Sequence, residues 1–301
     1  MSLPGTTKHR RELLVNPLFW TACHLDSFAC SFRHVPTKAH RLANEIQESA
    51  DINEKTNDAE ILSRSAVPNV KRSILSSFLL EEESVFNQRS KAPKFYFAGQ
   101  SVHRPYFNLF LHRTQAGQIS QDGPFLGYLD YLDVTSKRVT KLSPSGVPIQ
   151  SQNPIGARLF AKKMARITPQ EWTEDPYFIC VLLSIAQFQR RLSKDSSRRA
   201  FSTCLLVVNR EDHEFVHIYE AQITNEFLDM LDKSAIATTS INGPAVYHRK
   251  IPYRPFENFP ERIRAETLAS ATADEVDAEK KAVKRPLESE DDQGRNVMQK
   301  H

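Results

Sequence analysis

The chain has 301 residues and sets 40 lysines and arginines against 36 acidic residues, a net charge of only +4, which lacks the concentrated positive field of a dedicated nucleic-acid binder. Hydrophobic residues make up 40%, so a core is expected to coexist with unfolded chain. Four scattered cysteines make no disulfide framework, no signal-length apolar run follows Lys8, Arg10 and Arg11, and the longest apolar run, 177–186, falls short of the roughly twenty residues of a membrane span, so secreted and membrane-spanning classes are set aside.

Residues 1–90 read as a largely disordered or loosely docked segment. Its stretch 38–65 is polar and almost free of aromatics, a linker or a marginal helix, while Leu18-Phe19-Trp20 with Phe28 and Phe32 suggests docking. Strands follow at 94–98 and 106–112, where Phe107, Leu109 and Leu111 alternate with Asn108 and His112. The run 125–134 and Arg138-Val139-Thr140-Lys141-Leu142 read as a hairpin turning at Ser136-Lys137. A helix is predicted over 156–167, and Thr168-Pro169-Gln170-Glu171 has the form of a capping box. Asp175-Pro176 opens a helix over about 176–192 that is apolar on every side and therefore buried. Strands at 201–208 and 214–223 form a second hairpin, Thr224 caps a short helix, and a strand at 246–251 precedes a last helix starting at Pro260.

This order predicts an α+β fold: one domain over 91–269 with a mostly antiparallel sheet, helices packed on one face, and disordered N- and C-terminal segments. The tail 270–301 belongs to the latter, with eight acidic and six basic residues and no aromatic between Ala271 and His301.

The segments DPYFICVLLSIAQFQRR, LLVVNREDHEFVHIYEAQITNEFLDMLD and RKIPYRPFENFPERI together resemble a family of uncharacterised proteins from filamentous ascomycete fungi. The likeness covers about residues 170–268 and includes no catalytic motif. It implies a fungal, intracellular origin and carries no activity with it.

One catalytic constellation can be drawn, that of a divergent PD-(D/E)XK nuclease, whose carboxylates hold a divalent metal that activates water. Glu174, or Glu171, would precede the buried helix, Asp212 would end a strand, and Glu220 with Gln222 would lie on the next. Gln222 stands where that pattern has lysine, and Asp212 falls in a turn where acids are ordinary. Asp130 and Asp133, three apart on an expected strand, would point to opposite faces, with Lys137 or Arg138 as partners. Cys23, His24, Cys30, His34 and His40 are zinc-ligand types without zinc-site spacing, so no metal site is assigned. Arg158, Lys162 and Arg166 form a basic helical stripe that could track phosphates or face solvent. Lys280, Lys281, Lys284 and Arg285 have the density of a nuclear import signal. His217 is a candidate base or a half-buried structural histidine. The chain has no Gly-x-Ser-x-Gly elbow and no glycine-rich phosphate loop.

The expectation is a soluble, cytoplasmic or nuclear, non-catalytic binding or accessory protein that works through protein partners, needs no cofactor and touches no membrane. The alternatives are the metal-dependent nuclease and an accessory role in a fungal specialised pathway.

Overall fold

Apolar runs too short to cover themselves build a seven-stranded sheet, and the helices take the two faces that it leaves. The computed structural model describes residues 14–36, 50–80, 86–89, 91–113, 119, 125–143, 153–193, 197–233 and 243–268. After a 3-10 turn at Pro17–Phe19 come α1 (Ala22–Ser27), β1 (Ser31–His34), α2 (Ala50–Arg64), α3 (Pro68–Leu79), β2 (Phe86–Arg89), β3 (Phe95–Phe97), β4 (Gln100–His103), β5 (Asn108–His112) and β6 (Phe125–Asp130). There follow α4 (Tyr131–Leu142), α5 (Pro154–Ile167), a 3-10 turn at Trp172–Glu174, α6 (Tyr177–Leu192), β7 (Ala200–Val208), β8 (Phe215–Thr224), α7 (Asn225–Lys233), β9 (Ala245–Pro252) and α8 (259–268).

The strand order is β1-β9-β8-β7-β6-β5-β2, while β3 and β4 pair separately. The pairs β1/β9 and β6/β7 are parallel, and the sheet's other neighbours are antiparallel. The α+β class and the mostly antiparallel sheet are therefore found. None of the helices among the described residues is long and apolar enough to cross a membrane.

Strand alternation divides the core in two. Leu109, Phe125, Leu129, Leu205, Val207, Tyr219 and Val246 face α6, which is buried from Tyr177 to Gln189. Phe110, Leu126, Tyr128, Leu206, Val208, Val216 and Ile218 pack in the other core with α2, α3 and α8 through Leu62, Leu75, Phe78, Phe259 and Ile263. Helices thus cover both faces and not the single face expected, which explains why β6 and β7 read as continuous apolar runs.

The N-terminal expectation is corrected. Trp20 and Phe28 are buried to 0% and 1% exposure, with Trp20 edge-on to Phe95 at 5.5 Å and its indole N–H donating to the Val15 carbonyl at 3.2 Å. The strand β1 pairs in register with β9, and α2 and α3 roof a core, so the folded body begins well before residue 91. Few apolar residues sufficed because Leu18, Trp20, Phe28, Leu62, Leu75, Phe78 and Leu79 are all but fully buried. Trp20→Phe should cost about 1–2 kcal/mol of unfolding free energy, from the lost indole hydrogen bond and ring area, read by denaturant titration.

The hairpin expected beyond Tyr131 is also corrected. Residues 131–142 are helical because Asp130 caps them, its Oδ1 accepting from the Leu132 N–H at 2.9 Å, and because Tyr131, Val134 and Arg138 fall on one buried face. That burial outweighs the β-propensity of Val134, Thr135, Val139 and Thr140. Thr168 ends α5 instead of opening a helix as the capping box implied, its hydroxyl donating to the Met164 carbonyl at 2.8 Å. The α6 boundary agrees with the expectation, with Asp175 accepting from the Tyr177 N–H at 2.9 Å.

Candidate functional site

The carboxyl ends of the parallel neighbours β6 and β7 are where open sheets gather ligands, and here Asp130 closes β6. A cleft of about 570 Å³ opens beside it. Arg72 of α3, Lys91, Arg104 and Lys137 of α4 bring four cations to its lining, against the two carboxylates Asp130 and Asp133. Asp133 is answered by Arg72 at 3.1 Å, and the Lys137 ammonium stands 5.1 Å from the centre of the Tyr106 ring. The lining is thus positive in sum.

Tyr128 of this lining and two further neighbours of Asp130, Lys71 and Tyr253, form a buried polar set. Lys71, Tyr128 and Tyr253 are buried to 0–1% exposure, yet the Lys71 ammonium and both phenol oxygens have no hydrogen-bond partner among the described residues. All three can donate, and a buried donor left unmet costs about 1–3 kcal/mol, more when charged. Burial lowers the pKa of Lys71, with Asp130 and Asp212 pulling in the opposite direction. Burial raises that of Asp130, partly offset by the Leu132 N–H and Lys71.

On the opposite face of the sheet, five ionisable side chains form a continuous line. The Glu174 Oε1 lies 3.1 Å from His34 Nε2, and His34 Nδ1 lies 2.7 Å from His248 Nδ1. His248 Nε2 lies 2.7 Å from His217 Nδ1, and His217 Nε2 lies 2.8 Å from Asp212 Oδ2. The edge strand β1 supplies His34, and β9 and β8 supply the two buried rings, stacked at 5.0 Å. Trp172 sets its edge 4.6 Å from His217, and Tyr219 stacks 4.6 Å from His248. Burial first, then the neighbouring cationic forms of His217, His34 and Lys250, push His248 down to about 3. The Asp212 carboxyl pays a burial penalty that the His217 bond and the Glu214 and Phe215 N–H groups outweigh, so its pKa is lowered.

No protein-family model and no curated protein matches this chain.

The four nuclease candidates are not brought to one pocket. Glu174 pairs with His34 and Asp212 with His217 on the α6 side of the sheet. Glu220 and Gln222 alternate to the other face, where Glu220 meets Arg249 at 2.7 Å and Arg249 meets Glu266 at 2.9 Å. Asp130 and Asp133, expected on opposite faces, line the same cleft because the chain turns helical between them. Lys137 stays with Tyr106, and Arg138 turns inward to Asp175.

Arg158, Lys162 and Arg166 are exposed along α5. Cys23 is exposed, Cys30 is buried with its thiol pushed up to about 12, and His24 accepts the Thr21 N–H at 3.0 Å in its own helix cap. Among the described residues no group of three or more histidine, cysteine and acidic side chains is arranged to hold a metal ion. His40 and the import-signal residues Lys280, Lys281, Lys284 and Arg285 lie outside the described residues.

Sequence reasoning missed Lys71, Tyr128, Tyr253 and His248. His248 had a readable signal, since Val246, His248 and Lys250 alternate on one strand face as His217 and Tyr219 do on its neighbour. Lys71 had none, because it lies in a segment read as unfolded.

Proposed function

We propose that the protein is a non-catalytic binding protein whose cleft takes an acidic segment of a protein partner. The observation that carries this reading is the cation-rich lining, Arg72, Lys91, Arg104 and Lys137, together with Tyr128 of the same lining, whose hydroxyl has no acceptor among the described residues. An incoming carboxylate supplies an acceptor for the Tyr128 hydroxyl, and the cations steer its approach. The carboxylates considered for catalysis support the same reading, because Glu174, Asp212 and Glu220 each already engage a basic side chain.

The test is fluorescence anisotropy of a glutamate-rich peptide titrated with the full chain at two salt concentrations. Binding should weaken with salt, and Arg104→Glu and Lys91→Glu should each weaken it at least about tenfold. Equal affinity of wild type and both variants would overturn the reading. Displacement of the peptide by inorganic phosphate at similar concentration would replace the peptide partner with a small free anion.

A further inference from the structure

The line from Glu174 to Asp212 contains four close contacts between five groups, and each contact needs one hydrogen between its two heavy atoms. Ionised carboxylates only accept, and a neutral imidazole carries a single N–H. Three neutral imidazoles therefore leave one of the four contacts without its hydrogen. We propose that Glu174, His34, His248, His217 and Asp212 form a proton-holding site that keeps one proton more than three neutral histidines and passes it between exposed His34 and buried His217.

The two ends differ in access. His34 and Glu174 side chains are 56% and 47% exposed, whereas at the other end His217 is buried at 1% and Asp212 is 20% exposed. With the extra proton at the inner end, His217 donates from Nε2 to Asp212 and from Nδ1 to His248. His248 then donates from Nδ1 to His34, and His34 from Nε2 to Glu174. Conduction moves the His217 Nδ1 proton to His248 Nε2 while His248 releases its Nδ1 proton to His34 Nδ1. His34 is then the imidazolium, His248 has changed tautomer, the proton count is unchanged, and no heavy atom has had to leave its place.

The surrounding groups favour this occupancy. Asp212 Oδ1 accepts from the Glu214 and Phe215 N–H groups at 3.0 and 2.9 Å, which leaves Oδ2 as the acceptor for His217. The titratable neighbours are Tyr219 of β8 and Lys250 of β9 beside His248, Lys71 of α3 and Tyr253 beside Asp212, and Glu174 on the 3-10 turn beside His34. The two terminal carboxylates are hydrogen-bonded to the line of rings, and one cation within it neutralises part of their charge. The proposal does not depend on what the cleft binds.

The test is long-range proton–nitrogen NMR of the uniformly labelled full chain at pH 8, where an ordinary histidine is neutral. Wild type should show one imidazolium, resident or exchanging, among His34, His248 and His217. In Asp212→Asn the amide supplies the missing N–H to His217 Nε2, so every contact is filled by neutral rings and the imidazolium should vanish. Should that variant not fold, Glu174→Gln performs the same replacement at the exposed end and should give the same loss. Three neutral rings in wild type, or an imidazolium that survives in the amide variant, would overturn the proposal.

Discussion

Asp175→Ala should remove about 3–5 kcal/mol of unfolding free energy, measured by denaturant titration, because it strands a buried guanidinium. Arg138 and Asp175 are buried to 1% and 0% in a two-pronged pair, with Nη2 to Oδ1 at 2.8 Å. The same carboxylate accepts from the Tyr131 hydroxyl at 2.8 Å and from the Tyr177 N–H at 2.9 Å, while Arg138 Nε donates to the Leu18 carbonyl at 2.7 Å. One carboxylate thus ties α4 and the start of α6 together, and its arginine adds the N-terminal turn. The loss measures an uncompensated charge more than the worth of the pair, so adding Arg138→Met to Asp175→Ala should recover part of it. A loss under about 1 kcal/mol would mean that water reaches Arg138.

Acidification should destabilise the fold through two histidines that burial keeps neutral. His103 is pushed down to about 4, by burial and then by Lys141, and His248 to about 3. In the unfolded chain both take up a proton near pH 6.5. Below that value the unfolded state binds more protons than the folded one, so stability rises with pH through this window and is fully present above it. Each histidine should withdraw about 2 kcal/mol between pH 6.5 and pH 5, and the decline should continue until the folded pKa is reached. Unfolding free energies at pH 7, 6 and 5 check this. His103→Phe, which keeps a ring against Tyr106 and Tyr177, should reduce the slope by the equivalent of one proton. An unchanged slope would place the acid sensitivity elsewhere.

Much of the second half of the fold was legible because its signals are local. Asp175-Pro176 sets the start of α6, the Asn209–Glu214 turn separates two apolar strands, and the Thr224 hydroxyl accepts from the Phe227 N–H at 3.2 Å as a cap should. The first half was less legible because its order comes from distant partners. Leu18 needs Arg138, Trp20 needs Phe95, and β1 needs β9, and none of these leaves a pattern in its own neighbourhood. The site divides in the same way. Asp212, His217, Glu174 and His34 were each singled out as residue types that carry chemistry, but what joins them is a register between strands. Tyr219 lies opposite His248 on β9, and Arg33 and His34 lie opposite Tyr247 and His248.

Both outermost strands of the sheet, β1 and β2, come from the first ninety residues, and His34 meets His248 across 214 positions of chain. The five strands between them are therefore fenced by chain that a fragment cut at residue 91 would lack. Such a fragment would present β9 on one side and β5 on the other as open rows of backbone donors and acceptors, templates for pairing with another copy. The N-terminal segment acts as this protein's own guard against edge-to-edge aggregation. Because one of its strands must wait for β9 to be made, that guard is complete only late in folding, when the most distant contacts close.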